Sequence, residues 1–128
     1  MPRLTLRAGR TDVSIVSTSG DVPVDARTAQ TLRSVENVLL GLGQCTLATL
    51  RPFLERKGLP VEGLVLELSA ELNEPENLYD RIRMDIRLSE AIPESLRPAI
   101  ANVARSCRVH RTLSRALDIA LDVCTAAT

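Results

Sequence analysis

From residue 60 to residue 88, apolar and polar positions alternate almost without a break. Leu64, Leu66 and Leu68 share one face, with Val65, Glu67 and Ser69 on the other. After a polar stretch, residues 73–77, the pattern resumes with Ile82, Met84, Ile86 and Leu88 opposite Arg81, Arg83, Asp85 and Arg87. A period of two is that of a half-buried strand, so these runs predict a long antiparallel hairpin with one solvated, polar face. The same period returns near the C-terminus. Leu117, Ile119, Leu121 and Val123 alternate with Ala116, Asp118, Ala120 and Asp122, which predicts a final strand.

Residues 35–57 follow a different rule. Val35, Val38, Leu39, Leu40, Leu42, Leu47, Leu50, Phe53 and Leu54 fall on nearly every side of a helical wheel. A helix that is apolar all round must be covered all round, so this segment predicts a long helix enclosed by a sheet, a second subunit, or both. Ser34 is a suitable N-cap and Glu36 falls in the first turn, where negative charge is favoured. Gly58 suits the position just past the end. Pro52 lies inside and is expected to kink or split the helix. Gly41 and Gly43 cost helix stability, about 1 kcal/mol each relative to alanine, which points to a close approach, expected at a dimer core.

Two short strands are expected at residues 4–7 and 12–17, joined by a turn at Ala8-Gly9-Arg10-Thr11. A second turn at Ser19-Gly20-Asp21 leads to a short edge strand at residues 22–25, where Pro23 is tolerated. Residues 26–33 show no period and are expected to be a loop. Between the hairpin and the last strand, Ser95 can cap a helix with Pro98 in its first turn and Ile100, Val103 and Ala104 on its apolar side. That helix should break near Ser106-Cys107, with a further turn over residues 110–114. Strands, long helix, two strands, helix, strand is an α+β pattern with an antiparallel sheet, expected as a single domain over residues 1–128.

Composition narrows the function classes. Sixteen basic and sixteen acidic residues cancel, which gives no general field for nucleic acid or an anionic membrane. One Tyr, one Phe and no Trp leave little to stack bases on. The apolar run at residues 38–50 is short and interrupted by Gln44, Thr46 and Thr49, so no membrane span is expected. The first ten residues lack an apolar signal region, which makes the cytoplasm the expected location. Three cysteines are an odd set for a disulfide framework and are expected to include free thiols, buried or reactive.

Glu36-Asn-Val-Leu-Leu-Gly-Leu-Gly-Gln-Cys45-Thr and Cys107-Arg-Val-His110-Arg-Thr-Leu113 are the two segments that resemble a known family. The first is similar to the acidic residue, the apolar Gly/Ala-rich run and the helical cysteine of the OsmC/Ohr family. The second is similar to that family's Cys-Pro-Val-His-Arg-Thr-Leu segment. The order of elements fits as well, so the resemblance covers essentially the whole chain. It implies an OsmC-like fold, with antiparallel sheets wrapped around a long central helix in an intertwined homodimer and two thiol sites at the subunit interface. It also implies a thiol-dependent peroxidase, active in oxidative stress, that acts on organic hydroperoxides without a bound cofactor and is reduced by an external dithiol such as a lipoyl group. Two positions depart from the pattern. Arg108 stands where a proline usually follows the second cysteine, and Val35 where a proline usually precedes the acidic residue.

A thiol peroxidase needs a thiol of lowered pKa, a cation to hold the thiolate, and a second thiol to resolve the sulfenic acid. By family position Cys45 attacks and Cys107 resolves. In the peroxidase branch an arginine from the first hairpin holds the thiolate and a glutamate steadies it. Glu36 matches the glutamate. Arg10 is the nearest match for the arginine, with Arg7 and Arg27 as substitutes. Phase complicates that pairing. The nine residues from Glu36 to Cys45 put them on roughly opposite faces of a straight helix, about 13 Å apart along it, so Glu36 would act through a long arginine or across the dimer. The plainer readings stand beside these: Cys45 as a small buried residue, Arg10 as a solvated turn residue, His110 as a packing or capping residue, and Cys124 as structural. A zinc site from Cys107, His110 and Cys45 has only one clear spacing behind it. A dimer that binds an apolar small molecule with both thiols reduced is the alternative function.

Overall fold

The computed structural model describes residues 2–10, 12–17, 20–25 and 28–125, together with the backbone but not the side chains of Val16, Ser17, Gly20, Asp21 and Ala29. Thr11 and Ser19 of the two expected turns, and Ala26 and Arg27 at the start of the expected loop, lie outside the described residues.

Alternation builds the sheet. Strands β1 (Arg3–Ala8), β2 (Val13–Ser17), β3 (Gly20–Pro23), β4 (Val65–Asn73) and β5 (Leu78–Arg87) form one sheet in the order β3-β2-β1-β4-β5, each pair antiparallel. The register aligns Ile15, Leu6, Leu66 and Ile86 in one row, and Leu4, Leu68 and Met84 in the next. Leu4, Leu6, Ala8, Leu66, Leu68 and Ala70 are buried on that face. The opposite face is polar, and it carries the cross-strand pair of Arg87 Nε with Glu67 Oε1 at 3.0 Å. The β4–β5 turn closes with Asn77 at φ 54°, where asparagine is one of the few side chains tolerated.

Helix α2 (Ser34–Arg56) lies across the buried face. The glycine cost is explained at one of its two positions. A Cβ on Gly43 would stand 3.0 Å from both terminal methyls of Leu6 and 3.3 Å from Leu68, so Gly43 lets the helix sit down on β1 and β4. This closeness is within the chain, not at the dimer core where it was expected. Gly41 has open space around it. Pro52 does not split the assigned helix. It lies on an exposed face with Ala48, whose carbonyl it leaves without a helical donor. The cap also differs from expectation. Arg33 is the N-cap and Ser34 is already helical, while Glu36 Oε1 accepts from the Arg33 N–H at 2.9 Å. At the other end Gly58, at φ 66°, closes the helix with its N–H on the Glu55 carbonyl.

The expected loop before α2 contains a short helix, α1 (Thr28–Thr31), started by the Asp25 N–H on Thr28 Oγ1 at 2.9 Å. After β5 a 3-10 turn (Glu94–Leu96) leads into α3 (Arg97–Arg105) and then α4 (Arg108–Leu113). Ile100 and Ala104 of α3 are buried against the core, and both helices contact α2.

The expected final strand does not form within the chain. Residues 116–125 have no helix or strand assignment. Leu117, Ile119, Leu121 and Val123 are 52%, 77%, 80% and 91% exposed. A strand needs a hydrogen-bonded neighbour and something to cover its apolar face, and this chain alone supplies neither to the segment.

Candidate active site

Cys45 sits on the one side of α2 that the chain leaves open. Ser34, Val38, Gly41, Cys45, Ala48 and Pro52 follow one another at spacings of four and three, so they form a single stripe. All are exposed except Cys45, which is half-buried. The sheet covers the other side of the helix, and α3 and α4 cover its flank.

Cys107 comes to Cys45 from that flank. The break between α3 and α4 makes it the N-cap of α4, with extended backbone at φ −55°, ψ 134°. Its N–H donates to the Ala104 carbonyl at 3.2 Å and its carbonyl accepts from the Arg111 N–H at 2.9 Å. Its sulfur accepts from the His110 N–H at 3.5 Å. The side chain is 1% exposed. Backbone and sulfur are thus both fixed, and Cys45 packs against the same buried cluster that holds this thiol, near enough for each ionisation to act on the other.

The two thiols are driven apart in acidity. Burial opposes ionisation of Cys45, but a hydrogen bond from Cys107, backbone N–H groups of Val109 and Arg108, and the charge of Arg108 outweigh it, so the Cys45 pKa falls below the ordinary thiol value. At Cys107 burial and the hydrogen bond to Cys45 raise the pKa. Cys45 is therefore the more readily ionised of the two, and Cys107 the one that holds its proton longer. As a coupled pair they share one ionisation between them.

The other sequence candidates lie elsewhere. Glu36 is occupied at the start of α2, on the Arg33 N–H. Arg10 is exposed, and its carbonyl accepts from Arg51 Nη1 at 2.8 Å. Arg51 lies six residues beyond Cys45 on α2, and Glu36 nine before it. Arg51 and Glu36 are thus about 22 Å apart along the helix, on either side of the thiol, and Arg10 is held at the Arg51 end. Arg27 lies outside the described residues. Cys124 is exposed on the C-terminal segment, away from any assigned element. His110 touches the site through its backbone. Sequence reasoning missed the start of α4, at Arg108 and Val109, as the part of the chain that lowers the Cys45 pKa. The one signal for them was the expected helix break at Ser106-Cys107, which frees the first N–H groups of the next helix.

A groove of about 950 Å³ lies between the inner face of β5 and α2, α3 and α4, and neither Cys45 nor Cys107 lines it. Val35, Val38, Leu42, Ile82, Met84 and Leu113 give it apolar walls, with Arg81, Arg105 and His110 also lining it. Leu42 is one helical turn before Cys45, and His110 three residues after Cys107. Among the described residues no group of three or more His, Cys, Asp or Glu could hold a metal ion. No helix is long and apolar enough to cross a membrane among these residues.

Residues 27–122 match the family model described as OsmC-like protein. No curated protein sequence matches the chain. Among solved structures, it is similar to an OsmC-like hydroperoxide resistance protein from Jannaschia sp. CCS1, with TM-score 0.66 and 21% identity over 98% of this chain and 93% of the other. It is also similar to an OsmC-like protein from Mycoplasma pneumoniae, with TM-score 0.55 and 18% identity over 88% and 86% of the two chains. At these identities the likeness is one of fold.

Proposed function

The chain belongs to the OsmC-like family, a family that works without a bound cofactor, and on that premise we propose that it is a thiol-dependent peroxidase for apolar organic hydroperoxides. The observation that carries this reading is the nearness of Cys45 and Cys107, with the first thiol made more acidic and the second less. The similar structure from Jannaschia sp. CCS1, named a hydroperoxide resistance protein, supports it.

The chemistry follows from the pair. The Cys45 thiolate attacks one peroxide oxygen, the O–O bond breaks, and the alkoxide leaves as an alcohol after taking a proton. Cys45 is then a sulfenic acid. Loss of its negative charge removes both influences by which Cys45 holds the Cys107 pKa up, so Cys107 ionises more readily once it is needed. Its sulfur attacks the sulfenic sulfur, a disulfide forms and water leaves. An external dithiol, such as a lipoyl group, then reduces the disulfide by exchange and is itself oxidised. The apolar groove, which Leu42 lines one helical turn before Cys45, would take the apolar part of the hydroperoxide.

The same proposal includes an intertwined homodimer in a reducing cytosol. The open stripe on α2 and the unpaired, alternating segment at residues 116–125 are apolar features that one chain leaves uncovered. A second copy offers each of them a like surface. Arg10 and Glu36, the cation and carboxylate of the proposed site, would meet only across that seam.

The test is consumption of cumene hydroperoxide with a dithiol reductant. Wild-type protein should turn over. Cys45→Ser should fall to background, and Cys107→Ser treated without any reductant should consume about one equivalent and leave Cys45 as a sulfenic acid with no disulfide formed. No consumption by wild type with any dithiol would overturn the enzyme reading. The apolar groove favours a second reading, a dimer that binds an apolar small molecule. Its mark would be thiols unchanged in number after hydroperoxide treatment.

A further inference from the structure

Residues 116–125 and the outer edge of β5 fit each other. β5 ends the sheet on one side, and among the described residues no strand pairs with its outer edge. The edge at the other side, β3, has four residues and carries Pro23, so it offers little to a segment as long as residues 116–125. β5 has ten residues and no proline. Ile82, Met84 and Ile86 point to its buried side yet are only half-buried. Exposure climbs along the segment from Leu117 through Ile119 and Leu121 to Val123, so the segment runs away from its own chain.

We infer that residues 116–125 pair antiparallel with the outer edge of β5 in a second copy, which gives its own segment in exchange. Apolar positions must share the covered face, which limits the register to steps of two. Charge selects among those steps. With Ile119, Leu121 and Val123 opposite Ile86, Met84 and Ile82, Asp118 falls beside Arg87, Asp122 beside Arg83, and Ala120 beside Asp85. A slip of two residues either way puts Asp118 or Asp122 on Asp85. Arg83 already holds Asp85, and Arg87 holds Glu67, but both arginine side chains are more than half exposed on that face. A parallel strand would match the same charges. Every described pair in the sheet is antiparallel, which favours that direction. The added strand extends the apolar side of the groove beyond Ile82, Met84 and Ile86, so two chains build that pocket. This pairing rests on the homodimer proposed above and not on its thiol chemistry.

The experiment uses Cys124, which is exposed and which this register sets beside Arg81. Opposite residues of a ladder lie within disulfide reach. Arg81→Cys in the full chain, oxidised with diamide, should therefore run as a covalent dimer on a non-reducing gel, with peptide mapping joining Cys124 to the thiol introduced at position 81. Ser89→Cys, which a parallel strand would set beside Cys124, should not link. Charge gives a second readout that needs no new thiol and stands if Arg81→Cys does not fold. Asp122→Arg should weaken the dimer about tenfold, because the change acts twice in a symmetric pair. Adding Arg83→Asp should restore part of that affinity. The pairing is overturned if Cys124 links to position 81 within one chain, if it links in Ser89→Cys instead, or if Arg83→Asp brings no recovery. A dimer with neither link nor charge coupling removes the exchanged strand and leaves the homodimer standing, whereas a wild-type chain that stays monomeric in ultracentrifugation removes both. If wild type consumes no hydroperoxide yet Arg81→Cys links between chains, the peroxidase reading falls and the exchange stands.

Discussion

A cysteine becomes a nucleophile when its surroundings favour the thiolate, and at Cys45 that balance is set by groups from a different part of the chain. The sequence supplies Cys45 at the middle of an apolar helix, an environment that by itself raises a thiol pKa. Cys107 and the start of α4 reverse the sign. The reactive species is the thiolate, so the rate of attack on hydroperoxide should rise as pH passes through a midpoint below the ordinary thiol value of about 8.5 and level off above it. Stopped-flow oxidation at fixed hydroperoxide checks this. In Cys107→Ser the hydroxyl is a poorer match in length to the thiol donor, and the midpoint should move upward. An unchanged midpoint would mean Cys107 takes no part in activating Cys45. Both cysteines could be picked out in the sequence, and their nearness could not. It depends on a helix break 62 residues downstream folding back against α2. Glu36 shows the converse. Its place in the first turn was legible, and the bond it makes there is the local one to Arg33, which any acidic residue three positions past an N-cap can make.

At the scale of elements, the period-two pattern carried most of the information. Strands β4 and β5 follow it from Val65 to Glu71 and from Arg81 to Arg87, because a sheet with one buried face requires alternation, and the register shifts only at Glu71/Leu72 near the turn. Helix α2 was legible in extent but not in how it is covered. The two glycines look alike in sequence, yet only Gly43 faces the sheet. Gly43→Ala should therefore destabilise the fold by about 1–3 kcal/mol, because Leu6 and Leu68 are themselves buried and cannot yield. Thermal denaturation should show a lower Tm. A Tm at or above wild type would mean that the helix can shift on the sheet at little cost. That α2 continues through Pro52 without splitting has a physical reason as well. A helix loses a hydrogen bond at proline, but on an exposed face water can satisfy the carbonyl that is left over.

At the scale of the molecule, the C-terminal segment separates what a sequence pattern promises from what one chain can fulfil. Leu117, Ile119, Leu121 and Val123 alternate as a strand should, and all four are exposed. The pattern reads the surroundings a segment is suited to, and those surroundings can belong to another copy. If a second copy covers both this segment and the open stripe on α2, then removing residues 116–128 should weaken the dimer markedly. Analytical ultracentrifugation would register a shift toward monomer at low micromolar concentration. A truncated chain as dimeric as wild type would contradict that role for the segment.

The nearness of Cys45 and Cys107 is the point on which the functional account turns. Its most direct test is one equivalent of cumene hydroperoxide added to the fully reduced protein, followed by peptide mapping of all three cysteines. The account predicts one alcohol formed per chain, a disulfide joining Cys45 to Cys107, and Cys124 still reduced. Three free thiols and intact hydroperoxide would contradict it.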